Sequence, residues 1–100
     1  MAKLDNLIHQ PVRLQIMATL VAQEEEVRLG FTALRDLLKL SDGNLGTHLR
    51  KLEAADYIAV EKTFVARKPQ TFIWATPLGR QRFQEHVAVL KAILAQSSKP

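Results

Sequence analysis

Residues 41–58 read SDGNLGTHLRKLEAADYI, and this stretch decides the fold. Ser41 is a helix cap, because its hydroxyl can accept a backbone N–H that the first turn leaves unpaired. Asp42 follows in the first turn, where the helix dipole favours an acid. Leu45, Leu49 and Leu52 recur at i, i+4 and i+7, which predicts one buried stripe on a helix. Gly43, Asn44, Gly46, Thr47, Arg50 and Lys51 are left on the other faces, small near the start and basic further on. A glycine inside a helix costs about 1 kcal/mol relative to alanine. Gly43 in the first turn is cheap. Gly46 calls for a reason, either close approach to a partner or close packing of another helix. Tyr57-Ile58-Ala59-Val60 then changes to aromatic and β-branched types and predicts a strand.

Upstream of Ser41, Thr32 is a cap for a second helix whose buried face is Leu34, Leu37 and Leu38 and which ends near Lys39-Leu40. About three residues then separate the two helices, the length of a helix-turn-helix connection. Val27 to Phe31 suits a small strand. An earlier helix starts at Pro11, a residue favoured at the first helical position. It carries Val12, Ile16, Met17 and Leu20 on one face and fades at the solvated run Glu24-Glu25-Glu26. Leu4, Leu7 and Ile8 leave room for a short helix before it.

Downstream, Thr71-Phe72-Ile73-Trp74-Ala75 reads as a second strand, and EKTFVARKPQ (residues 61–70) as the intervening hairpin tip, with Arg67, Lys68 and Pro69. Thr76-Pro77 repeats the cap-plus-proline start signal for a last helix. In that helix Phe83, Val87, Leu90 and Leu94 are spaced 4, 3 and 4, the seam of a helix packing on another helix. The order is helix, short strand, helix, helix, strand, strand, helix. This predicts a mainly α chain with a small β-hairpin wing (α+β), a winged helix-turn-helix. Residues 1–100 form one domain in this reading, with the terminal helices available for dimerisation.

Composition narrows the function. With 47% hydrophobic and 24% charged residues, the chain falls in the range of soluble globular proteins. There is no cysteine, which excludes disulfides, thiolate metal sites and cysteine nucleophiles. No apolar run approaches the roughly 20 residues that span a bilayer. The opening MAKLDNLIHQ is interrupted by Asp5, Asn6 and His9, unlike a signal peptide, so the expected location is the cytoplasm with no membrane partner. His9, His48 and His86 are scattered without a metal-site spacing. Asp5, Asp36 and Asp42 lie on separate elements, and neither a phosphate-cradling glycine loop nor a nucleophile elbow is present. The expectation is no enzyme, no cofactor and no metal.

The net charge is +4, and its distribution says more than its size. Between Glu61 and Glu85 stand five cations, Lys62, Arg67, Lys68, Arg80 and Arg82, and no acid. Together with the third helix this points to double-stranded DNA. Small residues let a helix approach base edges, Asn44 and Thr47 can hydrogen-bond them, and Arg50 and Lys51 can hold phosphates, while His48, next to the buried leucine stripe, reads equally as a groove contact or as a half-buried packing residue. Arg67 and Lys68 at the wing suit a narrow, electronegative minor groove. Arg80 and Arg82, early in the last helix, either face DNA or are outward-facing solvated charges, and the second reading is preferred. The plainer alternatives are an amphipathic helix with a polar outer face and a loop with two chance charges.

The blocks IHQPVRLQIM, SDGNLGTHLRKLEAADYI and RKPQTFIWATPLGR resemble compact prokaryotic winged-helix regulators related to the multiple-antibiotic-resistance and arsenical-resistance groups. The resemblance spans nearly the whole chain. It implies a repressor-type DNA-binding regulator that dimerises through its terminal helices. By motif position it carries groove contact onto Asn44, Thr47, His48 and Arg50, and wing contact onto Arg67 and Lys68. Asp56 departs from the pattern, standing where such proteins usually have glycine after the recognition helix. Asp tolerates the left-handed backbone at some cost. The absence of cysteine rules out thiol-based sensing.

The expectation is therefore a homodimer joined through Phe83, Val87, Leu90 and Leu94, binding an inverted repeat. The alternative is a winged helix that docks on protein and binds DNA weakly. A small-molecule effector, if one exists, belongs at the dimer interface.

Overall fold

A computed structural model describes residues 3–97. In chain order the elements are α1 (Pro11–Val21), β1 (Leu29–Gly30), α2 (Phe31–Leu38), α3 (Asp42–Ala54), β2 (Ile58–Val65), β3 (Lys68–Ala75) and α4 (Pro77–Ser97). This is a winged helix-turn-helix: mainly helical, with a small antiparallel sheet in the order β1-β3-β2.

The chain enters α1 through a cap at Gln10, whose Oε1 accepts the Arg13 N–H at 2.8 Å, with Pro11 in the first turn. Ile16, Met17 and Leu20 form its buried stripe. Residues 3–10 form a turn and no regular helix. The Asp5 carboxylate accepts the N–H groups of Leu7 and Ile8 at 2.9 and 3.2 Å, and His9 N–H donates to the Asp5 carbonyl at 2.7 Å. That turn drops Ile8 into the core, where it is fully buried.

Two local expectations for α2 are corrected. The helix begins at Phe31, and its cap is Gly30, with no side-chain cap bond from Thr32. Gly30 pairs with Phe72 in the sheet, which holds its backbone extended, so helical geometry starts two residues sooner than a Thr32 cap would set it. Leu37 is 63% exposed, while Leu34 is buried and Leu38 half-buried. Leu38 and half-buried Phe31 lie to one side of Leu34 around the helix, and Leu37 lies about 60° to the other. The buried arc is centred on the Phe31–Leu38 side, so Leu37 falls past its edge. The helix stops at Lys39, in left-handed geometry at φ 56°. Leu40 N–H then closes on the Arg35 carbonyl at 3.0 Å.

Helix α3 follows its sequence closely. Ser41 Oγ accepts the Asn44 N–H at 3.1 Å, and Leu45, Leu49 and Leu52 are all buried. After it, Asp56 takes φ 64°, the backbone that a glycine usually supplies, and Tyr57 N–H reaches back to the Leu52 carbonyl at 3.0 Å.

The wing is longer than the sequence suggests. β2 and β3 stay paired from Ile58–Ala75 out to Val65–Lys68, so most of residues 61–70 is strand. Only Ala66 and Arg67 form the turn, both at positive φ (51° and 68°), as a two-residue hairpin loop demands. Lys68 is thus the first residue of a strand. Pro69, expected in the tip, lies opposite Phe64 within the ladder. Proline is tolerated there because β1 covers β3 only at Phe72 and Ile73, which leaves the Pro69 edge open.

Thr76 Oγ1 accepts the Gly79 N–H at 2.9 Å and caps α4. Gly79 is required for packing. A Cβ there would sit 1.9 Å from the Tyr57 carbonyl oxygen, so only glycine lets α4 cross this close to the strand entry. One cluster of buried side chains, including Ile16, Met17, Leu34, Leu45, Leu52, Ile58 and Ile73, ties helices and sheet together. Among the described residues, no helix is long and apolar enough to cross a membrane.

Candidate nucleic-acid interface

The outer face of α3 is presented to solvent. Asn44, Thr47, Arg50 and Lys51 are exposed, and Arg50 Nη2 donates to Thr47 Oγ1 at 3.3 Å. The two glycines on this helix have no packing role inside the protein. A Cβ at Gly43 would meet nothing within 4 Å, and one at Gly46 would touch only Arg50 Nη1, at 3.4 Å. Of the two reasons open for Gly46, packing by another helix is absent among the described residues.

His48, also in the predicted set, is engaged by α1. It is half-buried, with Nδ1 3.2 Å from Arg13 Nη1. Arginine only donates, so Nδ1 accepts and the neutral ring carries its proton on Nε2. Burial, then the charges of Arg13 and Lys51, push the His48 pKa down. Arg13 is in turn held by the Leu7 carbonyl, 2.6 Å from its Nε. At the start of α3, Arg35 clamps Asp42 at 2.7 Å and Asp36 at 3.0 Å.

Between α3 and the wing runs a groove of 380 Å³ lined by Phe31, Asp42, Gly46, Leu49, Arg50, Glu53, Val60, Lys62 and Thr71. Beyond it the hairpin carries Arg67 and Lys68, both exposed, at its end. The same tip exposes Phe64 (72%) and Val65 (50%), which the sequence reading passed over. The signal was there, as two large apolar residues beside a turn. On the opposite face of the sheet Arg28 lies 4.0 Å above the Trp74 ring and pairs with Glu61 at 3.0 Å.

Arg80 corrects its sequence reading. Its guanidinium donates to the Val21 and Gln23 carbonyls at 3.1 and 3.0 Å, capping the C-terminal end of α1, where the helix dipole favours a cation. Arg82 is exposed and pairs with Glu85 at 3.3 Å.

On α4, Phe83, Val87 and Leu90 are half-buried, while Ile93 and Leu94 are 45% and 64% exposed. Phe83 and Val87 line a surface groove of 340 Å³ with Val21, Gln84, Ala88 and Lys91. The predicted seam is therefore only partly covered by the chain's own α1.

His86 lies in the interior, 1% exposed. Its Nδ1 accepts the Asp5 N–H at 3.1 Å, and Tyr57 Oη donates to Asp5 Oδ2 at 2.6 Å, so the N-terminal turn is latched to α4 and to the start of the sheet. Nε2, which must carry the proton, has no hydrogen-bond partner among the described residues. Burial, then His9 at 5.3 Å between ring centroids, push the His86 pKa down. Burial and the bond to Asp5 push the Tyr57 phenol up to about 12. Among the described residues, no three His, Cys, Asp or Glu side chains converge as a metal site.

Comparison with known proteins agrees with this geometry. The uncharacterized protein MJ0432 of Methanocaldococcus jannaschii is 32% identical over 81 residues, covering 81% of this chain and 85% of that protein. A transcriptional regulator homologue from Pyrococcus horikoshii OT3 superposes with a TM-score of 0.85 at 27% identity, over 95% of this chain and 91% of the other. The putative transcriptional regulator ytfH from Salmonella typhimurium shares the fold at a TM-score of 0.70 and 22% identity, over 93% and 86% of the two chains. The family described as winged helix DNA-binding domain matches residues 12–94, and the chain belongs to that family.

Proposed function

We propose that this protein is a sequence-specific transcriptional regulator of double-stranded DNA, acting as a homodimeric repressor on an inverted-repeat operator. The observation that carries the reading is the solvent face of α3. Two glycines there lack an internal packing reason and sit among Asn44, Thr47, Arg50 and Lys51. In this reading Asn44 and Thr47 meet base edges, while Arg50 and Lys51 hold phosphates. His48, tied to Arg13, sets the helix against α1 and offers its protonated Nε2 edge to the groove. Arg67 and Lys68 reach the adjacent minor groove.

The partly covered face of α4 supports the dimer. Leu94 and Ile93 remain exposed while Phe83, Val87 and Leu90 are half-buried, so a second copy laid on this face would complete the apolar seam. The two recognition helices would then enter successive major-groove turns, about 34 Å apart. The kinship with the multiple-antibiotic-resistance and arsenical-resistance regulators belongs to the same proposal, and an effector would use the groove beside Val21 and Phe83.

Selection from a random duplex library, with the enriched pool retested across a salt series, tests the function. The expected result is an inverted repeat bound far more tightly than bulk DNA. Weak, salt-sensitive binding to every duplex, with no enrichment, would overturn it in favour of a protein-docking winged helix.

A further inference from the structure

We propose that Phe64, backed by Pro69, is an apolar wedge for the DNA minor groove, favouring sites with an easily unstacked base step beneath the wing. The inference rests on the DNA-binding reading and extends it to a residue outside the predicted contact set.

Side chains alternate along a strand, so Ile58, Val60, Lys62 and Phe64 share one face of β2. Ile58 is buried in the core, and Val60 and Lys62 line the groove shared with Gly46 and Arg50 of α3. Phe64 therefore lies on the side of the wing that faces the recognition helix. Pro69, directly opposite in the ladder, puts a second apolar ring on that face. Four residues of strand carry Phe64 roughly 13 Å beyond Val60. A major groove is about 12 Å wide, so a wing of that reach passes the phosphate ridge and arrives at the neighbouring minor groove.

Phe64 is 72% exposed, the most exposed of the large hydrophobic side chains among the described residues, and it lines neither the core nor the groove. A single exposed apolar residue is ordinary. This one sits at the end of a hairpin with Lys62, Arg67 and Lys68, in a stretch without an acid from Lys62 to Gln84. An apolar tip ringed by cations fits a polyanion with apolar walls. Phosphates meet the cations, while deoxyribose and base edges meet the ring. Apolar side chains placed in this way open base steps, most readily the flexible pyrimidine–purine ones.

The test compares wild type, Phe64→Ala, Phe64→Leu and Arg67→Ala on the selected duplex. 2-Aminopurine placed at the steps beneath the wing reports unstacking. Because Phe64 is exposed, the variants keep the wild-type melting temperature. The expected result is binding about tenfold weaker for Phe64→Ala with an unchanged salt slope, since apolar contact releases no counterions. The 2-aminopurine signal falls with it, and Phe64→Leu retains most of both. Arg67→Ala instead lowers the slope. Wild-type affinity and unstacking in Phe64→Ala would overturn the wedge while leaving DNA binding intact. Wild-type protein that binds no duplex at any salt would overturn both.

Discussion

Gly46→Ala should make the protein more stable and a poorer DNA binder, and the two effects come from the same methyl group. Alanine in a helix interior is about 1 kcal/mol better than glycine, because the unfolded glycine has more freedom to lose. A packing penalty would normally offset this. Here the new Cβ meets only the end of the Arg50 side chain, at an ordinary contact distance of 3.4 Å, so the propensity gain is realised nearly in full. For a domain of this size 1 kcal/mol raises Tm by about 4–8 °C. In the complex the same methyl stands on the face of α3 offered to the bases. Holding the helix back from the groove by even part of its radius weakens several hydrogen bonds at once, and a loss of at least about 1.4 kcal/mol, tenfold in Kd, is expected. Thermal unfolding gives the first quantity and a binding titration on the selected duplex gives the second. A lower Tm would mean that Gly46 serves packing. A higher Tm with unchanged affinity would refute close approach to DNA as its reason.

Gly79→Ala makes the opposite case, since its Cβ would collide with the Tyr57 carbonyl; it should lower stability by about 1–3 kcal/mol in a denaturant titration, despite the helix-propensity gain. Arg67→Ala should weaken binding to all duplexes and reduce the salt slope by about 1, and an unchanged slope would remove Arg67 from the phosphate contacts. Leu90→Asp puts a charge in the proposed α4 seam and should weaken dimerisation by about 3 kcal/mol, roughly a hundredfold, in sedimentation equilibrium; an unaltered dimer would place the interface elsewhere. His86 and His48 both have folded pKa values below the unfolded 6.5, so the unfolded chain takes up protons first as pH falls. Stability should therefore be flat above about pH 7 and decline as pH drops below 6.5 toward the lower folded values. His86→Gln, which keeps an acceptor for the Asp5 N–H and cannot titrate, should make that decline shallower in urea unfolding at a series of pH values.

Elements whose cause is local were legible from sequence. The Ser41 cap, the Leu45–Leu49–Leu52 stripe and the Thr76-Pro77 start each depend on residues within a turn or two, and each stands as read. Thr32 was misleading because a sheet pair with Phe72, far along the chain, holds Gly30 extended and moves the helix start. Leu37 was misleading because periodicity identifies an apolar side, while the width of the buried arc is set by what packs against it. The hairpin ran longer than read because Ala66-Arg67 carries none of the Asn-Gly or Asp-Gly signal that marks a two-residue turn.

The order of elements, the helix-turn-helix unit, the basic wing and the exposure of Asn44, Thr47, Arg50 and Lys51 on α3 can be read from the residues alone, whereas the half-burial of His48 cannot. These follow from caps, hydrophobic period and charge, which act between near neighbours. Tertiary structure alone decided where the long-range polar groups go. Arg80 became the cap of α1, fifty-nine residues earlier in the chain, and Asp5 became the latch on His86, eighty-one residues away. It also decided which glycine is structural and which is free for function. Gly79 and Gly46 look alike in a string of letters. Only the rigid Tyr57 carbonyl against one, and the movable end of the Arg50 side chain beside the other, tells them apart.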